Sequence, residues 1–150
     1  MTTPKPTTHQ APTNLRDAQS LLTTHWRPQH ILTANNTHSF KIATISNSFI
    51  WHAHPNTDEV FYVISGGPLM MDIATDLTSK HEDQGFETVR INVGDLFNVP
   101  LGYRHRPWVE QETGILMVEK VGTVNTGDEE GSPEGKERTV IVRKGDGEVA

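Results

Sequence analysis

Three histidines and one glutamate are the residues of this chain best placed to do chemistry. His52-Ala53-His54 is followed by Glu59 and Gly66, and is answered some forty residues later by Gly94, Pro100, Gly102 and His105. Two imidazoles two residues apart in a β-prone stretch point to the same side of a strand. Glu59 lies five residues past His54, beyond a Pro55-Asn56-Thr57 turn, and can return to that side on the next strand. His105 completes the set from a distant strand. Imidazole nitrogens and a carboxylate oxygen suit one divalent ion: Fe, Mn, Ni, Zn, Co or Cu. Four protein ligands leave one or two positions open, where a bound hydroxyl loses its proton more easily and a carbonyl is polarised. The remaining histidines, His9, His25, His30, His38 and His81, lack such spacing and read as surface or core residues. Asp58 faces away from Glu59 in a regular strand and reads as a solvated neighbour.

Short strands must position these groups. From Trp26 onward, β-prone runs separated by turn residues predict strands at 30–33, 39–45, 48–54, 60–65, 69–73, 88–93, 96–99 and 115–121. Gly66-Gly67-Pro68 marks a hairpin, and the polar stretch 75–86 reads as a longer loop or elongated hairpin. Many short antiparallel strands predict an all-β sandwich or barrel, of which the jelly roll fits best. Asn14 or Thr13 can cap a short N-terminal helix reaching Leu22. Residues 1–13 are Thr/Pro-rich and read as a disordered tail, with the folded domain over 14–127. Residues 128–150 read as a polar C-terminal tail, in which the β-prone run at 139–143 is expected to add a strand, in its own subunit or a neighbouring one.

The spacing of these residues resembles that of the cupin superfamily. The first cupin motif runs Gly, five residues, His-x-His, three or four residues, Glu, six residues, Gly. His52, His54, Glu59 and Gly66 match it, and Ser46 stands where the opening Gly would be. The second motif runs Gly, five residues, Pro-x-Gly, two residues, His, three residues, Asn. Gly94, Pro100, Gly102 and His105 match in order, and Val109 replaces the Asn. The resemblance spans roughly residues 26–127. Within the superfamily the stretches 49–54, 58–63, 105–107 and 124–127, with Glu119, look like those of small single-domain microbial and fungal cupins of mannose-6-phosphate-isomerase-like type. It implies a double-stranded β-helix, the jelly-roll cupin barrel, with one metal on His52, His54, Glu59 and His105.

Composition excludes several other functions. At 150 residues the chain makes one domain with a two-sheet core, and its 34% hydrophobic content is lowered by two polar ends. A net charge of -6 and the lack of a basic patch argue against nucleic acid as a partner. There are no cysteines, hence neither disulfides nor a thiolate metal site. The first dozen residues contain no apolar signal-like run, no stretch reaches membrane-helix length, and a cytoplasmic protein is the expectation.

Around the metal, strand parity places Phe61 and Val63 with Glu59, and Ile50 with His52. Phe40, Phe97, Met117 and Trp26 are further candidates for a substrate pocket, and Tyr103 sits in a turn at the barrel mouth. Arg104 and Arg106 flank His105 and point away from the metal. The expected function is a mononuclear metal-dependent enzyme acting on a small oxygen-rich substrate, by oxidative or by isomerase, cyclase or lyase chemistry. The alternative is a cupin that binds a sugar or small ligand without turnover. Small jelly rolls cover a sheet by pairing, so a homodimer is expected, with Trp51 and Tyr62 on the outer surface.

Overall fold

Short strands build two antiparallel sheets facing one another. The computed structural model of the protein describes residues 9–78 and 85–140. After helix α1 (Leu15–Ser20) come β1 (Gln29–Ala34), β2 (His38–Ile45), β3 (Glu59–Ser65), β4 (Leu69–Ala74), β5 (Phe86–Ile91), β6 (Leu96–Val99), β7 (His105–Trp108) and β8 (Thr113–Lys120). A 3-10 turn (Gly127–Glu129) and helix α2 (Pro133–Arg138) follow. One sheet has the order β1-β2-β8-β3-β6 and the other β5-β4-β7. This is the jelly-roll barrel with a small N-terminal helix that the strand spacing predicts. Among the described residues, no helix is long and apolar enough to cross a membrane.

The core lies between the sheets. On β8, Ile115 and Met117 point inward and are buried while Leu116 and Val118 are only partly so, the period of two that a half-buried strand requires. Ala43, Ile45, Phe61, Val63, Leu69, Met71 and Ile91 join them in one cluster. Each fully buried aliphatic side chain there contributes about 1.5–3 kcal/mol over its exposed state.

Several elements differ from the sequence reading. The stretch 48–54 forms no ladder and touches its neighbours through isolated bridges, Ser48 to Trp108 and His52 to His105. Strand β7 is absent from the predicted set because Pro107 sits within it. It is an edge strand, where a missing N–H is tolerated. The polar stretch after Gly127 is structured: Ser132 caps α2 through the Gly135 N–H, with Pro133 opening the helix. Its lack of an apolar face hides it from a periodicity reading. Thr139 and Val140 carry no strand, and 141–143 lie outside the described residues, as do 1–8 of the N-terminal tail and His81. Trp51 is not an outer surface: it is 8% exposed, with Phe86 edge-on at 5.3 Å and the Arg106 guanidinium 5.5 Å from its ring.

Candidate metal centre

Glu59 opens β3 and His105 opens β7, so both project from strand ends. His52 and His54 sit on the irregular 48–54 stretch, which is held from both sides. On one side His52 and His105 exchange backbone hydrogen bonds of 3.1 and 2.8 Å, and the Gly102 N–H donates to the His54 carbonyl at 2.9 Å. On the other, the Asp128 N–H donates to the Ala53 carbonyl at 2.9 Å, and the Asp128 carboxylate accepts from the Ala53 N–H at 2.8 Å. Arg104 ties this brace down through Asp128, Glu129 and the Trp51 carbonyl. Gly127 has a φ of 52°, and a Cβ there would fall on the Ala53 carbonyl and 3.1 Å from His54 Nδ1. The turn after β8 thus replaces a neighbouring strand.

One donor atom from each of His52, His54, Glu59 and His105 lies within 4.8 Å of the others, and all four residues are buried. The Nδ1 atoms of His52 and His105 reach the Ile50 and Tyr103 carbonyls at 2.9 and 3.0 Å. A carbonyl only accepts, so both rings carry their proton on Nδ1 and present Nε2 as an electron-pair donor. His105 Nε2 is 3.1 Å from Glu59 Oε2, and His54 Nε2 is 2.9 Å from the same oxygen without directed hydrogen-bond geometry. Electron-pair donors this close need a cation or a shared proton between them. The donor set therefore fits a divalent metal.

Electrostatics point the same way. Burial, with His105 and His54 alongside, holds the His52 imidazole well below its ordinary pKa. Burial acts to lower His54 as well, but the Glu59 carboxylate outweighs it and the pKa is raised. Burial acts to raise Glu59, and His54 and His105 outweigh it, keeping the carboxyl well below its usual range.

A cavity of about 40 Å³ adjoins His52 and Glu59. Trp26, Phe61 and Met117 of the expected pocket do line it, together with Phe49 and Ile115. Val63, Phe97 and Tyr103 instead pack in or against the hydrophobic core. Ile50 faces an outer groove beside Arg106 and Arg138, because the stretch that carries it is not a regular strand. Phe40 is half-buried on the face of β2 opposite Lys41 and Ala43. Arg104 and Arg106 serve as ion-pair partners, Arg106 with Asp72 at 2.8 Å.

Sequence reasoning missed Glu119, Lys41, Asn125 and the Gly127–Asp128 brace. Glu119 and Asn125 line the cavity, and Lys41 Nζ lies 3.4 Å from Glu119 Oε1. Burial and the Glu59 charge push the Glu119 carboxyl up to about 8, against the opposing pull of Lys41. The parity of Glu119 with Met117 and Ile115 is the available signal, and it is masked because a charged residue on a strand ordinarily faces solvent.

The chain is 30% identical to a cupin-2 domain containing protein from Shewanella frigidimarina NCIMB 400, with a TM-score of 0.59 over 72% of this chain and 93% of that one. This protein belongs to the cupin superfamily. No protein-family model matches it. A second cupin-fold likeness is to hydroquinone 1,2-dioxygenase from Sphingomonas sp. TTNP3, at 14% identity and a TM-score of 0.57 over 73% of this cupin and 74% of the dioxygenase. That likeness is one of fold. The cupin is also 30% identical over 84 residues to the uncharacterized protein YdbB of Bacillus subtilis (strain 168), which covers 56% of this chain and 65% of that relative.

Proposed function

We propose that this cupin is a metal-dependent enzyme that holds one divalent ion on His52, His54, Glu59 and His105 and binds a small oxygen-bearing molecule beside it. The observation that carries the reading is the convergence of four buried donor atoms within 4.8 Å, with two of the rings fixed in the metal-binding tautomer by backbone carbonyls. A bound ion would supply Lewis acidity or, if redox-active, a site for dioxygen chemistry. The chain's own contribution is to hold the donors rigidly and keep bulk water from them. Trp26, Phe49 and Phe61 wall the cavity with aromatic surface, and Glu119 adds a carboxyl that is not one of the four donors.

Two reaction classes fit this arrangement. Oxidative chemistry is supported by the shared fold of a neighbour described as a hydroquinone dioxygenase. Isomerase or lyase chemistry needs only the Lewis acid. A second reading, ligand binding without turnover, draws support from the mostly apolar cavity wall. The partner is a small molecule and not a nucleic acid, and the outer face with Tyr62 and Leu96 serves a homodimer; Leu96 is 71% exposed.

Metal analysis by mass spectrometry of protein purified without a histidine tag tests the site. The expected result is close to one equivalent per chain, falling several-fold in His54→Ala and His105→Ala. Full occupancy in both variants would mean that the donor set is wrong. Near-stoichiometric iron would direct assays to oxygen uptake, and zinc, nickel or manganese to isomerisation and elimination.

A further inference from the structure

A row of polar side chains crosses the inner face of the five-stranded sheet where apolar residues would ordinarily lie. Ser39 on β2 pairs with Glu119 on β8. Val60 on β3 pairs with Val118, so extending that antiparallel register by one residue sets Glu59 opposite Glu119. Cross-strand neighbours have Cβ atoms about 4.5–5.5 Å apart. Glu119 therefore stands one strand spacing from the donor cluster, on the wall of the same cavity as His52 and Glu59.

The two carboxylate oxygens of Glu119 have different surroundings. Oε1 faces Lys41 Nζ at 3.4 Å. Oε2 is buried and has no hydrogen-bond partner among the described residues, although the residue is only 3% exposed. A buried carboxyl oxygen left without a hydrogen-bond partner costs about 1–3 kcal/mol, so such an atom beside a cavity is poised for a ligand. Lys41 holds the other oxygen and so helps to orient the group.

We infer that Glu119 is a ligand-positioning residue: its Oε2 hydrogen-bonds a hydroxyl of the molecule whose neighbouring oxygen faces the His52–His54–Glu59–His105 cluster. This rests on the metal-site reading above and names the ligand's chemistry. The ligand carries a hydroxyl on the carbon next to its metal-facing oxygen, a spacing that suits two carboxylates on adjacent strands. The cavity of about 40 Å³ exceeds the roughly 10–15 Å³ that one water requires. The oxygen-bearing end enters it, with any larger remainder toward the half-buried Trp26 and Pro28. A site built to bond a hydroxyl rejects an analogue that lacks one, because its own polar group is then left unpaired.

Hydroxyacetone and butanone provide a test, since they differ only in a hydroxyl against a methyl group. Cobalt(II)-loaded wild type and Glu119→Leu are titrated with each, and Kd is read from paramagnetic broadening of the probe's methyl protons. Leu fills a similar volume and offers the hydroxyl no hydrogen bond. The expected result is that wild type prefers hydroxyacetone at least tenfold, and that in Glu119→Leu the ratio falls to near one at unchanged cobalt content. Equal binding of the two probes by wild type overturns the inference without any variant. A preference that survives in Glu119→Leu also overturns it, because the hydroxyl would then be held by the cation itself. Wild type that takes up less than a tenth of an equivalent of cobalt overturns the metal reading, and the inference with it.

Discussion

At the scale of single residues, the centre is organised by which nitrogen carries the proton. His52 and His105 each give Nδ1–H to the carbonyl two residues earlier, so their tautomer is set by the backbone and survives any change of ligand. Glu119 is the opposite case, a carboxyl whose state depends on its neighbours. Its folded pKa of about 8 exceeds the usual 4.5. Between those values the folded protein keeps a proton that the unfolded chain has released, so Glu119 favours folding at low pH and loses that contribution as pH rises. Metal-free wild type is therefore expected to lose Tm relative to Glu119→Gln as pH rises from about 5 to about 8. Parallel slopes in the two proteins, measured by calorimetry with chelator present, would contradict this assignment.

Among the elements, the decisive one is the turn that follows β8. It supplies the hydrogen bonds that a strand would otherwise give to Ala53, and Gly127 allows it to come close enough. Gly127→Ala forces a side chain into a left-handed residue and against the Ala53 carbonyl. The expected cost is about 2–5 kcal/mol, combining a left-handed conformation with overpacking. Urea denaturation should register that loss, and metal content should fall with it because His54 is displaced. A change under about 0.5 kcal/mol, the range of an ordinary surface substitution, would show that the brace carries little. On the other sheet, Asp72 accepts from Trp108 Nε1 at 3.0 Å and from Arg106. Arg106 is 37% exposed and can turn to water, so Asp72→Ala should cost only about 1–3 kcal/mol and leave metal content unchanged.

For the whole molecule, the five-stranded sheet presents Tyr62 beside Leu96 on its outer face, paired across β3 and β6. Leu96→Asp is expected to convert a dimer to a monomer in sedimentation at micromolar concentration, with metal content retained. A wild-type protein that sediments as a monomer would remove the interface altogether. Of the strands β3 to β8, all but β7 were legible: 96–99 matches β6, and 60–65 and 69–73 fall one residue short of β3 and β4. What eluded the pattern was β7, where Pro107 disguises an edge strand, and α2, where every visible cue was a cap and none an apolar stripe.

The sequence by itself determined the four donor residues, through the spacing they share with the two cupin motifs, and most of the strands, through side-chain alternation with glycines and prolines at turns. Only the tertiary structure decided what surrounds those donors. The 48–54 stretch is held by residues from two distant turns, Gly102 and Asp128. Glu119 meets Glu59 only because β3 and β8 pair in one register, and Lys41 meets Glu119 only because β2 flanks β8. Such contacts depend on strand order and register, which the residues of any one strand do not specify.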